Sequence, residues 1–146
     1  VVLDYGHNIE GYRVTIEGLK ALKPSRLIGV IGVPGDRLDT DIFNVGKISG
    51  NSFDYIYIKE DSDLRKKHPL EVANILYRGA LSSGMPKELI KIVPDEVDAL
   101  RQALQKAGKG DVIVVFFEKM NTLVDVIKEY QEEIYLEEQL VQQIPV

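Results

Sequence analysis

The chain has 146 residues, 45% of them hydrophobic and 28% charged, so it is long enough for one domain with a buried core. Its formal net charge of -5 argues against nucleic acid as the main partner, because nucleic acid phosphates are bound mainly by Lys and Arg. It has no cysteine, which excludes disulfides, thiolate metal sites and a cysteine nucleophile and is typical of a reducing compartment.

Targeting and membrane-spanning features are not evident in the sequence. No apolar run approaches the roughly 20 residues of a membrane span, and no segment resembles a signal peptide. We therefore expect a cytoplasmic protein with no membrane partner. The chain begins at Val1, inside an apparent strand and without a methionine, so we expect it to be a piece of a longer polypeptide.

Strand-like and helix-like segments alternate along the whole chain. Apolar residues are continuous or alternate in the strand-like segments and recur every three to four residues in the helix-like ones. In chain order the predicted elements are a strand over 1–5, a helix over 8–23, a strand over 26–33, a helix over 38–50, a strand over 54–60, a helix over 72–83, a strand over 87–93, a helix over 95–107, a strand over 111–118 and a helix from 121 toward 141. Asn8, Asp95 and Asn121 are the predicted N-caps.

This alternation predicts an α/β fold with three layers, α/β/α. We expect a mostly parallel, Rossmann-like sheet of five to six strands with helices on both faces. The last strand is the most apolar, and we place it centrally. The domain is expected over 1–133, with a helical C-terminal extension or tail over 134–146.

Polar clusters follow the first three predicted strands. They are Asp4-Tyr5-Gly6-His7-Asn8, Pro34-Gly35-Asp36-Arg37 and the segment from Glu60 to Lys67. Ligands of open α/β sheets bind outside the carboxyl ends of the strands, so these clusters are the candidate site.

Each candidate residue also has a purely structural interpretation. Asp4 either fixes a turn or accepts hydrogen bonds from ligand hydroxyls such as those of a ribose. His7 is either a surface histidine or a donor to phosphate beside a helix N-terminus. Arg37 lies in a turn and suits bidentate contact with carboxylate or phosphate. Asp61 and Asp63 either belong to a solvated loop or pair with cationic groups of a ligand.

Several catalytic motifs are missing from the sequence. It has no G-x-x-x-x-G-K-[ST] phosphate loop, no convincing dinucleotide fingerprint, no Ser-His-Asp arrangement and no metal-ligand spacing. We therefore predict ligand-binding groups without a complete catalytic apparatus, with no metal site and no assignable catalytic residue.

The segment DYGHN resembles the D-Y-A-H-N-P or D-G-A-H-N-P motif that opens the C-terminal domain of the Mur ligase superfamily, which includes the folylpolyglutamate synthetases. The combination H-N-x-x-G-Y, V-P-G-D-R and E-D-x-D-L-R is most similar to the C-terminal part of the cyanophycin synthetases, which add arginine to a polyaspartate backbone. The resemblance runs from Val1 to about Tyr130. Gly6 and Ile9 depart from the alanine and proline of the usual motif.

The resemblance implies one lobe of an ATP-dependent amide ligase. In this superfamily ATP converts a carboxylate into an acyl-phosphate, which an amine then attacks. A central domain ahead of this one supplies the phosphate loop, the Mg²⁺ ligands and much of the nucleotide site. The fragment alone is expected to be inactive.

The resemblance also implies roles for particular residues and for partners. Asp4, His7, Asn8 and Arg37 are expected near ATP. Asp36, Asp61, Asp63 and Arg65 are expected to bind the incoming amino acid, with arginine favoured. The acceptor is expected to be an acidic polymer or peptide, and a homo-oligomer remains open. So do two alternatives: a Mur-type or folylpolyglutamate-type ligase with another amino acid substrate, and a non-catalytic α/β binding module.

Overall fold

Five strands form one parallel sheet in the computed structural model, which describes residues 1–144. The strands are β1 (Val2–Asp4), β2 (Leu27–Ile31), β3 (Tyr55–Ile58), β4 (Ile90–Ile92) and β5 (Val112–Phe116). Their order across the sheet is β1-β5-β2-β3-β4, and every neighbouring pair is parallel. A helix lies between each pair of successive strands, and a further helix follows β5. The predicted α/β sheet is confirmed with five strands.

The helices pack on both faces of the sheet. They are α1 (Ile9–Ala21), α2 (Asp39–Gly50), α3 (Glu71–Ser82), α4 (Glu96–Lys106) and α5 (Met120–Gln142). Buried residues of the first three share one hydrophobic cluster with one face of the sheet, and those of α4 and α5 share a second cluster with the other face.

The strands supply both clusters because successive side chains point to opposite faces. Within β5, Val114 and Phe116 belong to the first cluster, whereas Ile113 and Val115 belong to the second. Such a strand is buried on both sides, which explains its continuous apolar sequence.

Two of the three predicted helix caps are confirmed. The Asn8 side chain accepts a hydrogen bond from the Gly11 N–H at 2.8 Å, and the Asp95 side chain accepts one from the Asp98 N–H at 2.9 Å. The prediction for Asn121 was wrong, because α5 begins at Met120 with Lys119 at the N-cap position.

Two further details of the sheet differ from the sequence prediction. The segment 87–93 is not one strand: Lys87–Leu89 form a 3₁₀ turn, and the strand begins at Ile90. β5 is an interior strand, but β2 holds the middle position of the five.

The predicted boundary at residue 133 falls inside α5. This helix runs without a break to Gln142. Within residues 1–144, the last side-chain hydrogen bond from α5 to the rest of the domain is the one that Tyr130 Oη donates to the Leu104 carbonyl at 3.0 Å. Large apolar side chains beyond that point are exposed, including Leu136 and Leu140. The predicted extension over 134–146 ends with two residues that lie outside the described part of the chain.

Candidate functional site

A small cavity lies at the carboxyl edge of the sheet and collects side chains from all three predicted polar clusters. We call it the acidic cleft. It has a volume of about 80 Å³. Its lining residues are Tyr5, Gly6, His7, Gly32, Pro34, Lys59, Asp61, Asp63, Arg65, Phe116, Phe117 and Glu118. Three carboxylates and two cationic side chains therefore face one space, and this charge balance suits a ligand with a positive charge.

A larger cavity of about 290 Å³ lies between the start of α1 and α2, and we call it the α1–α2 pocket. It is lined by apolar side chains, among them Val33 and Ile42, and by polar side chains at its rim, which are His7, Asn8, Glu10, Arg37 and Asp41. His7 lines both cavities, so the imidazole lies at the boundary between them.

Most of the predicted site residues line one of these two cavities, and His7 lines both. His7, Asp61, Asp63 and Arg65 line the acidic cleft, and His7, Asn8 and Arg37 line the α1–α2 pocket. Asp4 and Asp36 line neither cavity. Asp36 is nevertheless close to the cleft, because its carboxylate accepts a hydrogen bond from Arg65 Nη1 at 3.0 Å.

The Asp4 carboxylate is engaged on both oxygens by its own neighbourhood. Oδ1 accepts from the Gly6 N–H, and Oδ2 accepts from Thr15 Oγ1 at 2.8 Å. A Cβ added at position 6 would lie 2.8 Å from Asp4 Oδ1, so an alanine here would require the Asp4 side chain to shift. These contacts support the interpretation of Asp4 as a residue that shapes the turn from β1 into α1.

Arg37 has an unusual environment at the rim of the α1–α2 pocket. Its Nε atom is buried, and it has no hydrogen-bond partner within residues 1–144. A buried donor without an acceptor is unfavourable, so such groups in native proteins call for an explanation. Arg37 as a whole also lines the α1–α2 pocket.

Arg65 is held between two carboxylates beside the acidic cleft. Its Nη1 lies 3.0 Å from Asp36 and its Nε lies 3.2 Å from Asp63. All three side chains are about half exposed or more, and exposed ion pairs contribute little to stability. A ligand can therefore replace either contact at small cost.

The backbone around Arg65 is strained. Arg65 and Lys66 have φ angles of 48° and 69°, in the left-handed region that residues with a side chain rarely adopt. Strain of this kind is concentrated at binding and catalytic sites. The loop is also anchored, because Lys67 Nζ contacts carboxylates of Asp39 and Glu71.

Lys59 was missed by the sequence analysis and is the most deeply buried charged group of the site. Its side chain is 1% exposed, and its Nζ lies 2.8 Å from Asp61 Oδ1 and 2.8 Å from Glu96 Oε2. Its stem runs along Gly32, where an added Cβ would lie 2.6 Å from Lys59 Cε. A lysine directly after a strand buried on both faces, followed by two acidic residues, was the signal available in the sequence.

Two glutamates extend this network across the site. Glu96 accepts hydrogen bonds from the N–H groups of Glu118 and Lys119 at 2.7 and 3.1 Å. Glu118 in turn accepts from the N–H and hydroxyl of Ser62 at 2.8 and 3.0 Å. Lys59, Glu96 and Glu118 therefore tie the β3–α3 loop to the starts of α4 and α5.

The charge of Glu118 is stabilised by these contacts. Partial burial raises the pKa of Glu118, but the Ser62 N–H and hydroxyl, with the positive charges of Lys59 and Lys119, bring that pKa below its ordinary value. Glu118 is therefore a carboxylate at neutral pH and contributes negative charge to the acidic cleft.

Glu60 is buried but serves α3 rather than the cleft. Its carboxylate accepts from the N–H groups of Leu70 and Ala73 at 2.9 and 3.1 Å. Leu70 occupies the N-cap position of α3 without a side-chain cap, so Glu60 satisfies N–H groups that the helix leaves free. His68 lies before this cap and outside the helix.

Neither a membrane span nor a cluster of metal ligands is found in the described residues. None of the helices within 1–144 combines the length and the apolar character needed to cross a bilayer. The same residues contain no group of three or more His, Cys, Asp and Glu side chains arranged to hold a metal ion.

The family model and the known proteins that match this chain agree with one another. A family model described as Mur ligase, glutamate ligase domain, matches residues 1–116. The chain is 38% identical over 130 residues to a cyanophycin synthetase of Geminocystis herdmanii, covering 89% of this chain and 15% of that protein. It is 32% identical over 114 residues to a UDP-N-acetylmuramyl-tripeptide synthetase of Leifsonia xyli, covering 78% of this chain and 22% of that protein.

A solved structure has the same fold. A UDP-N-acetylmuramoyl-L-alanyl-D-glutamate-2,6-diaminopimelate ligase superposes with a TM-score of 0.70 at 18% identity, covering 90% of this chain and 29% of that one. The chain spans only 14–15% of the length of two cyanophycin synthetases that it matches at 38% identity.

Proposed function

This chain belongs to the family of Mur ligase C-terminal domains, and we propose that it is the ligand-binding lobe of an ATP-dependent amide ligase. In that role it receives an amino acid and presents its amine to a carboxylate activated by ATP elsewhere in the polypeptide. The observation that carries the proposal is the position of His7, which lines both an apolar pocket of nucleoside size and a small cleft rich in carboxylates.

The α1–α2 pocket is the proposed nucleotide side of the site. Its volume of about 290 Å³ and its apolar floor suit a nucleoside. His7, Asn8 and Arg37 lie on the rim near the N-terminus of α1, where backbone N–H groups and the helix dipole favour negative charge. The Arg37 guanidinium, which lines this pocket, would pair with a phosphate or hydroxyl oxygen of the nucleotide. Asp4 is proposed to affect ATP binding in one of two ways. It shapes the turn that positions His7, or its carboxylate accepts a hydrogen bond from a ribose hydroxyl.

The acidic cleft is the proposed amino acid side, with arginine favoured. Asp61 has one oxygen held by Lys59, and within residues 1–144 no hydrogen-bond partner is found for the other. Asp63 and Asp36 are exposed beside it. A guanidinium presents two parallel N–H groups to a carboxylate, which is a strong and directional contact. Arg65 would then bind the α-carboxylate of the same amino acid.

The chemistry of the reaction requires two lobes. In the proposal ATP, assisted by Mg²⁺, would transfer its γ-phosphoryl group to the acceptor carboxylate and leave as ADP, and both would be held mainly by the preceding central domain of the same cytoplasmic polypeptide. The residues of this chain bind and orient the incoming amine and help to exclude water from the acyl-phosphate when the lobes close. The acceptor is proposed to be an acidic polymer or peptide.

A second candidate substrate is a diamino acid. Several relatives are named as ligases that add 2,6-diaminopimelate, whose side chain carries both an ammonium and a carboxylate. Asp61 and Asp63 would pair with such an ammonium and Arg65 with the carboxylate. A non-catalytic binding module is the remaining alternative.

The test uses the full-length polypeptide that contains this chain. Phosphate release from ATP and Mg²⁺ is measured with an acidic acceptor and, separately, arginine, lysine, diaminopimelate or no amino acid. We expect phosphate release that depends on arginine, and none from the 146-residue chain alone. Release that depends on diaminopimelate instead would select the second substrate, and no amino acid dependence would exclude the ligase.

A further inference from the structure

An exposed tyrosine stands at the edge of the acidic cleft. Tyr5 is 66% exposed and directly follows β1, an edge strand whose residues are half-buried. Its ring centroid lies 5.4 Å from that of His7 and 5.6 Å from that of Phe117. All three rings line the cleft. We call Tyr5 and Phe117 the aromatic wall.

The fold itself brings the two members of the aromatic wall together. Asp4 and Phe116 are paired in the register of β1 and β5, so the next residues, Tyr5 and Phe117, leave the sheet side by side. The Phe117 N–H also donates to the Asp4 carbonyl at 3.0 Å, which continues the ladder by one bond. The preceding ring, Phe116, is different, because it stacks on Tyr12 in the core at 3.6 Å.

The aromatic wall and the carboxylates share the same small cavity. Asp61, Asp63 and Glu118 line the cleft together with Tyr5 and Phe117. A cationic group in the cleft would therefore lie near carboxylate oxygens and aromatic rings, while Lys59 and Arg65 in the same lining are each already paired with carboxylates. The cavity of about 80 Å³ admits the end of a side chain rather than a whole amino acid.

We propose that the aromatic wall selects a planar guanidinium side chain over an ammonium of the same charge. A guanidinium donates hydrogen bonds in its plane and stacks on aromatic rings with its faces, so one group satisfies both kinds of neighbour. The lysine ammonium is compact and strongly hydrated and has no face to stack. This inference rests on the proposed function, in which the acidic cleft binds the side chain of the incoming amino acid.

The experiment measures selectivity in the full-length enzyme. The kcat/KM values for arginine and for lysine are determined in phosphate-release assays at saturating ATP, for wild type, Tyr5→Leu and Tyr5→Phe. Tyr5→Leu is expected to lower the arginine-to-lysine ratio by about 3- to 10-fold, the range of a partly exposed cation–π contact. Tyr5→Phe keeps the ring and is expected to retain most of the ratio.

The chain offers a matched control. Tyr135 on α5 is 61% exposed, close to the value for Tyr5, and it lines no part of the acidic cleft. Tyr135→Leu is expected to leave the ratio unchanged. Phe117→Leu is expected to lower it in the same direction as Tyr5→Leu.

The outcomes separate this inference from the function on which it rests. An arginine preference that survives in both Tyr5→Leu and Phe117→Leu would overturn the aromatic wall while leaving the proposed ligase intact. A wild-type enzyme that uses lysine as well as arginine would also overturn it. A full-length protein with no phosphate release that depends on arginine would refute the proposed substrate and the aromatic wall together.

Discussion

Lys59 Nζ lies 2.8 Å from Glu96 Oε2, and this buried pair joins the end of β3 to the first residue of α4. The same ammonium holds Asp61, which lines the acidic cleft. Buried ion pairs are costly to break, because removal of one partner leaves the other charged and poorly solvated. The pair therefore fixes the geometry of the amino acid side of the site more than it adds net stability.

Replacing Lys59 by methionine tests this positioning role. Lys59→Met leaves Asp61 and Glu96 without their cation, and we expect the free energy of unfolding to fall by about 3–5 kcal/mol. In any folded full-length enzyme, the KM for arginine should rise far more than the KM for ATP. Glu60→Gln is the control, because Glu60 is also buried but binds the start of α3. It should lower stability and leave the KM for arginine unchanged; a similar rise in that KM for both variants would argue against a specific role for Lys59.

Tyr12 binds the backbone of Gly32, the residue that follows β2. Its hydroxyl donates to the Gly32 carbonyl at 2.8 Å and accepts from the Gly32 N–H at 3.1 Å, and burial raises the pKa of this hydroxyl well above its ordinary value. Tyr12→Phe keeps the stack on Phe116 but leaves two buried backbone groups unpaired. We expect the free energy of unfolding, measured by urea denaturation, to fall by about 1–3 kcal/mol. A loss below a few tenths of a kcal/mol would mean that water replaces the hydroxyl.

The pair Arg26–Asp111 gives a prediction about pH. Asp111 Oδ2 lies 2.6 Å from Arg26 Nη2, and the hydrogen bond and charge of Arg26, with the Gly108 N–H, lower the pKa of Asp111. A lowered folded-state pKa adds stability that is complete above the unfolded-state pKa, about 3.9, and is lost as the pH falls through the folded-state value.

Asp111→Asn is therefore expected to lower the free energy of unfolding at pH 7 and to approach wild type at acid pH. Urea unfolding curves for the two proteins at pH 7 and pH 3 measure this difference. A gap of equal size at both pH values would show that the carboxylate charge is not its source.

Variants of Asp4 and Thr15 test whether the Asp4 carboxylate contributes to ATP use beyond its contact with Thr15. We expect Asp4→Ala to raise the KM for ATP in the full-length enzyme and to leave the KM for arginine nearly unchanged. Thr15→Val removes the donor to Asp4 Oδ2 while keeping the carboxylate, so it should lower stability without changing the KM for ATP. If both variants have wild-type ATP kinetics, Asp4 shapes the turn alone.

The sheet and its carboxyl edge were predictable from local patterns. The continuous apolar run around β2 and β5 indicates strands covered on both faces, and the Asn8 and Asp95 caps follow from side-chain chemistry that acts over three residues. A parallel sheet then collects the residues that follow its strands, so His7, Asp61 and Asp63 were predictable as neighbours.

The interactions that the sequence did not reveal are the long-range ones. Lys59 contacts Glu96, which lies 37 positions further along the chain. Glu96 also accepts hydrogen bonds from the N–H groups of Glu118 and Lys119, the two residues that precede α5. The wrongly predicted cap, Asn121, lies close to this contact. The spacing of residue types along the chain does not predict such pairs. The buried Arg37 Nε is similar, because its lack of a partner is evident only once the surrounding side chains are in place.

The most direct test of the amino acid site is the response of two KM values to one substitution in the full-length enzyme. Asp63→Ala should raise the KM for arginine about tenfold, as expected for one charge-assisted hydrogen bond at a partly wet site, and should leave the KM for ATP within about twofold. Asp125→Ala removes an exposed carboxylate on α5 that lines neither the acidic cleft nor the α1–α2 pocket, and should change neither value. Equal changes in both KM values, or none in the KM for arginine, would contradict the placement of the amino acid in the acidic cleft.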